Sequence, residues 1–200
     1  MSHSLPLLLL CSLLGACAGH TPSDLLGSAD LQLAPAGAEP ERVVAENAPD
    51  KFRAQVNDDG ERCELALELE FQRPGRDTHL RVNTFPDQVA PLFAGAASVT
   101  LPATTNRDRS IVLNYATVYW ERTDGNAWYS RAGNIRIGAL PEPRGMVRVD
   151  FENVELESTG VDESATLNGN IQLTFLGAVV TGDAGRACPS VTRYPGGFVN

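Results

Sequence analysis

Residues 63–71 read CELALELEF, and this alternation limits the folds open to the chain more than any other feature. Cys63, Leu65, Leu67, Leu69 and Phe71 share one face of an extended strand, and Glu64, Glu68 and Glu70 share the other. A period of two places one face on a core and leaves the other to water. The same period recurs downstream. Leu80, Val82 and Thr84 alternate with His79, Arg81 and Asn83, and Ile135 and Ile137 alternate with Asn134 and Arg136. Val147, Val149 and Phe151 form a third set, and Ile171, Leu173 and Phe175 a fourth. After Phe151 the apolar phase moves to Val154 and Leu156, which predicts a bulge near Glu152–Asn153.

Turn-forming clusters (NDDG, RPGR, TDGN, PEPRG and TGDAG) separate these runs. No stretch carries an apolar stripe at helical spacing over a helical length, and Leu92–Ala97 predicts a single helical turn. The motifs GNIRI, GMVRV and GNIQL echo one another without the steady period of a repeat fold. The expected architecture is all-β: an antiparallel β-sandwich or flattened barrel of about eight strands.

The segment VYWERTDGNAWYSR predicts the sharpest local structure. A three-residue loop Thr123-Asp124-Gly125 pairs Tyr119 with Tyr129, Trp120 with Trp128, and Ala116 with Ala132. The tryptophans then share one face and the tyrosines the other. Tyr119, Trp120, Trp128 and Tyr129 serve either as cross-strand packing or as an aromatic platform for a sugar ring or a partner protein.

The first residues are MSHSLPLLLLCSLLGACAGH. The apolar core Leu5–Leu14 is too short to span a bilayer, which takes about 20 helical residues, and it has the length of a signal-peptide h-region. It ends in Leu14-Gly15-Ala16-Cys17. This resembles the lipobox of bacterial lipoproteins, although Met1–Ser4 contains no Lys or Arg. The resemblance implies cleavage before Cys17, a diacylglycerol on its thiol and an acylated amine. Ala18 in place of Asp implies sorting to the outer membrane, with the domain facing either the periplasm or the cell surface. Residues 1–16 then form the signal peptide. Ala, Pro, Gly and acidic residues dominate 17–49, which predicts a flexible tether with a short pairing segment near Leu31-Gln32-Leu33. Residues 50–200 form a single domain of roughly 150 residues, large enough to bury about 70% of its unfolded surface without metals.

Formal net charge is −9, which argues against nucleic acid as a partner and against electrostatic adhesion to anionic lipid. Arginines are scattered with no basic block, and Lys51 is the only lysine. Cys11 leaves with the signal and Cys17 takes the lipid. Cys63 and Cys188 remain for one disulfide in an oxidising compartment. Such a bridge closes a loop of roughly 120 residues, worth about 4–5 kcal/mol in the loop-entropy model. The rival arrangement is two separate buried thiols.

Catalytic chemistry is poorly represented. Only His20 and His79 survive processing, and no GxSxG elbow, HExxH or Walker A loop is present. Asn57-Asp58-Asp59-Gly60-Glu61, Asp162-Glu163 and Asp183 carry oxygens suited to calcium, but without EF-hand spacing. No metal and no cofactor is expected. The expected function is a lipid-anchored, non-enzymatic envelope protein with an interaction or structural role at the outer membrane. Its partners are the membrane, through the anchor, and an envelope protein or glycan. The alternatives are a binding module for a glycan or small hydrophobic molecule, and a hydrolase using two carboxylates on glycosidic bonds.

Overall fold

The computed structural model describes residues 26–56, 63–73, 76–84, 86–104, 116–121, 127–141, 145–158, 162–175 and 179–180. Among these residues, ten strands and one helix run in the order β1 (Leu26–Pro35), β2 (Glu41–Val56), β3 (Cys63–Arg73), β4 (Arg76–Thr84), α1 (Pro86–Phe93), β5 (Ser98–Pro102), β6 (Thr117–Glu121), β7 (Ala127–Gly138), β8 (Met146–Ser158), β9 (Ser164–Thr174) and β10 (Val179–Val180). The chain is all-β, as the alternation predicts. Eight strands pair around the ring β1-β9-β8-β7-β6-β4-β3-β2, and β2 returns to β1, giving a nearly closed, antiparallel, barrel-like sheet.

Composition predicts a tether as far as residue 49, but the chain is already a strand at Leu26. Domain and sheet therefore begin well before residue 50. Ala29, Leu31 and Leu33 of β1 and Val43 of β2 carry the same period-two pattern in shorter side chains, diluted by Pro, Gly and Ala. All four are buried, because β1 lies between β9 and β2. The pairing segment near Leu31–Leu33 is the centre of that strand.

β2 does two jobs. Its first half, to Pro49, pairs with β1, and its second half, from Asp50, pairs with β3. The register slips at Glu46–Asn47, where Asn47 has a φ of 52°. Such a bulge bends a strand, and here it lets one strand close the ring. β10 then pairs in parallel with Arg53 and Ala54, on the part of β2 that lies past the start of β1.

The expected bulge in β8 is present. Register shifts between Phe151 and Val154, Asn153 has a φ of 50°, and its N–H donates to Asn168 Oδ1 at 2.8 Å. Two glycines allow equally tight geometry. Gly133 and Gly169 have φ of 101° and 114°, and a Cβ on either would stand 2.3 Å from a backbone oxygen, of Asn153 and Asp30 respectively. No side chain fits there.

The interior is one apolar cluster. Leu67, Leu69, Leu80, Val82, Trp120, Ile135, Ile137, Leu156, Leu167, Ile171 and Phe175 are fully buried within it. The outer wall carries exposed Arg131, Arg136, Arg148, Glu152 and Glu155. This polarity is the reverse of a barrel that spans a membrane, whose outward face is apolar.

The helix differs from the expected turn at Leu92–Ala97. It spans eight residues from Pro86, with Val89 and Leu92 buried in the core. Two buried positions at i and i+3 are too few to register as a stripe. Gly95 N–H donates to the Leu92 carbonyl and Ala96 N–H to the Pro91 carbonyl, so the segment expected to be a turn holds the Schellman ending of the helix.

The registers sort the strand ends into two rims. Val56, Cys63, Thr84, Ser98, Gly138, Met146 and Thr174 end or begin strands at one rim, to which α1 also belongs, and β1 starts toward that rim at Leu26, opposite Pro49 of β2. Pro35, Glu41, Arg73, Arg76, Glu121, Ala127, Ser158 and Ser164 end or begin strands at the other, the hairpin rim, which carries the turn 36–40. Replacing Gly169 with Ala forces its Cβ into the β1 backbone. We expect Gly169→Ala to destabilise the fold by at least about 2 kcal/mol, read as a lower urea midpoint at unchanged slope.

Candidate functional site

Because apolar side chains fill the interior, the chemistry available to a partner lies on the outer wall. One row there crosses five strands. Cross-strand registers place Glu68 of β3 opposite Arg81 of β4, Arg81 opposite Tyr119 of β6, Tyr119 opposite Tyr129 of β7, and Tyr129 opposite Glu157 of β8. Side chains directly opposite on one face stand near each other, and two of the four links are direct contacts.

Arg81 Nε lies 2.9 Å from Glu68 Oε1. Tyr119 and Tyr129 meet edge to face with centroids 5.0 Å apart and planes at 62°. Glu157 pairs with Arg131, which stands two residues along β7 from Tyr129. Two rungs nearer the hairpin rim, His79 Nδ1 lies 3.9 Å from Glu121 Oε2.

The alternation puts Glu68 on the wet face, but it is 1% exposed. This corrects the expectation for that position. A carboxylate removed from water needs a counter-charge and hydrogen bonds, and the Arg81 guanidinium, itself one-third exposed, supplies the charge. A sequence signal for this pair existed. The sequence Arg73-Pro74-Gly75-Arg76 reads as a turn signal that sets Arg73 against Arg76, and five rungs further that register sets Glu68 against Arg81.

The Tyr119 phenol is held above its ordinary pKa, chiefly by loss of water and then by the negative charge of Glu121 and by Tyr129, with Arg81 opposing. On the other half of the barrel, the Arg42 guanidinium donates two hydrogen bonds to Asp30, at 2.9 and 2.8 Å, and lowers the Asp30 pKa. Both side chains are exposed, and the pair marks no site.

The aromatic hairpin has the register its loop length predicts: Tyr119 opposite Tyr129 and Trp120 opposite Trp128. Trp120 and Trp128 are 1% and 3% exposed and belong to the core cluster, so the tryptophans form no surface platform. The half-buried tyrosines alone face outward. The predicted Ala116–Ala132 pairing does not form. Ser130 Oγ accepts the Val118 N–H at 2.9 Å, the register of β7 slips beyond Ser130, and β5 takes over that edge. Ala116 instead donates to the Pro102 carbonyl.

Ser130 is buried on the inner face and His79 lies on the outer, so these two do not meet. Asp162 and Glu163 are exposed at the hairpin rim. Among the described residues, no group of three or more His, Cys, Asp or Glu could hold a metal, and no helix is long and apolar enough to cross a membrane. Cys17, His20, Asn57–Glu61, Asp183 and Cys188 lie outside the described residues, as does the Cys63 side chain.

No protein-family model, no curated protein and no solved structure matches this chain.

Removing one member of a buried ion pair strands the other. Arg81→Met should therefore lower stability by about 3 kcal/mol, and adding Glu68→Met should restore a large share of it. A double-mutant cycle from urea unfolding reads this coupling. Tyr119 also makes stability depend on alkaline pH. Its folded pKa lies above the unfolded value, so its contribution is complete below the ordinary phenol range and is lost as pH rises through the folded value. Tyr119→Phe should flatten the fall in melting temperature between neutral and strongly alkaline pH relative to the parent.

Proposed function

We propose that this chain is a lipid-anchored protein of the outer membrane with an interaction or structural role and no catalytic chemistry. Its domain faces the periplasm or the cell surface. The observation that carries this reading is the pairing of a lipobox-like Leu14–Cys17 with a sheet whose interior is packed by its own side chains, from Leu31 to Phe175. Such a domain meets partners through its outer wall, and the row from Arg81 to Glu157 offers charged and aromatic groups to an envelope protein.

A Cys63–Cys188 disulfide belongs to the same reading. β10 runs parallel to β2, so its course points toward Val56, whose partner on β3 is Cys63. Cys188 follows Val180 by eight residues, a reach of roughly 26 Å. The gap to Cys63 is two strand spacings, roughly 10 Å, plus about two rungs.

A second reading, glycan binding, rests on the outward Tyr119–Tyr129 pair beside Arg81. It predicts that Tyr129→Ala abolishes retention on a glycan that holds the parent chain, with the fold intact by circular dichroism.

For the anchor, Cys17→Ser should abolish labelling by a fatty-acid probe and release the chain from the membrane fraction. A labelled, membrane-bound variant overturns it. For the bridge, intact mass of the oxidised chain should fall short of the dithiol mass by two hydrogens and recover on reduction. A full dithiol mass in chain taken from an oxidising compartment would rule it out.

A further inference from the structure

The start of β1 sets how far the barrel can stand from an anchor at Cys17. β1 begins at Leu26 and is held along both edges, by β9 and by β2, so slack in the chain ends there. Nine residue steps separate Cys17 from Leu26. Fully extended they reach about 32 Å, and as a flexible chain they span about 17 Å on average. A tether running to residue 49 would reach about 110 Å and leave the orientation of the domain free.

At Leu26, β1 starts toward the rim that carries α1 and the starts of β3, β5 and β8. Strands of 9 to 13 residues make up most of the wall, and with a tilt near 40° they give a wall roughly 25–30 Å tall. Inverting the barrel on the membrane would lift Leu26 by that height. The nine steps would then have to run at nearly full extension, with almost all of their conformational freedom lost.

We infer that the barrel is held with its α1 rim toward the bilayer and the rim of Pro35, Arg73, Glu121 and Ser158 pointing away from it. The inference rests on the lipid anchor proposed above and adds the direction of presentation. The α1 rim brings Ala139 and the half-exposed Met146 to the lipid side. The opposite rim presents the exposed turn 36–40 and the end of the aromatic hairpin at Glu121. The outer row lies toward that rim: Glu121 is the last residue of β6, and Glu157 is one residue from the end of β8. A partner approaching from the aqueous side therefore meets Tyr119, Tyr129 and their charged neighbours before it meets α1.

The test uses the full lipidated chain in phosphatidylcholine vesicles that carry an acceptor dye on the headgroup. A donor dye is placed at Ala139→Cys or at Ala38→Cys, two exposed positions on opposite rims, with the unsubstituted chain labelled in parallel as background. Energy transfer should be at least twofold more efficient from position 139. Inserting twenty Gly/Ser residues after Asp24 should remove the difference. Equal transfer from the two positions, or stronger transfer from 38, overturns the orientation while leaving the anchor intact. A difference that survives the insertion overturns the tether as its cause. If the Cys17→Ser chain binds the vesicles as well as the parent does, the anchor itself falls, and the orientation with it.

Discussion

Strand β1 hydrogen-bonds to β9 along one edge and to β2 along the other, and the rest of the molecule depends on this double pairing. Without it β9 and β2 would each present a long open edge, the feature that drives strands into unwanted association. With it, the sheet curls until its first and last strands meet, and one apolar interior replaces two half-exposed faces. β2 makes closure possible by changing partners at a bulge: β1 holds its first half and β3 its second. β8 bends at Asn153, and Gly133 and Gly169 let strands approach where a Cβ would collide with backbone. These irregularities are the points at which a flat meander acquires the curvature of a barrel.

Closure also decides where chemistry can occur. A wall whose inner face is packed mainly by apolar side chains leaves its outer face for recognition. There the row Glu68, Arg81, Tyr119, Tyr129, Glu157 is assembled from five strands, no two members being neighbours in sequence. Each link depends on the register of one strand pair, so a slip of a single residue in any pair would turn a member of the row inward. The hairpin and the outer row therefore share one determinant. The turn that sets Tyr119 against Tyr129 also sends both tryptophans into the core, which gives the aromatic cluster a structural half and an outward half.

Much of the architecture was legible from alternation alone. The all-β class, the approximate number of strands, the bulge at Glu152–Asn153 and the pairing of the two tryptophans all follow from local patterns of two to ten residues. Less could be read where the pattern was carried by small side chains. Ala29 and Ala45 keep the phase of β1 and β2, but among Pro and Gly they resemble linker composition. The burial of Glu68 was not legible because its alternation assigns it correctly to the outer face, and no local rule says whether an outer face is covered. The Ala116–Ala132 pairing failed for a related reason. A hairpin rule extends register outward from a turn, whereas here a serine side chain and a third strand intervened.

The sequence by itself determined the face each strand offers to the core, since an alternating chain has only one way to bury its apolar side. It determined the local turns too, because their residues set backbone geometry within a few positions. Only the tertiary structure decided where the domain begins, since a weakly apolar strand such as β1 becomes a strand when two neighbours satisfy its backbone. It also decided which polar residues lose water and which rim carries the amino-terminal end of the sheet. Those outcomes depend on contacts between segments as far apart as Asp30 and Asn170, and a chain read one window at a time carries no record of them.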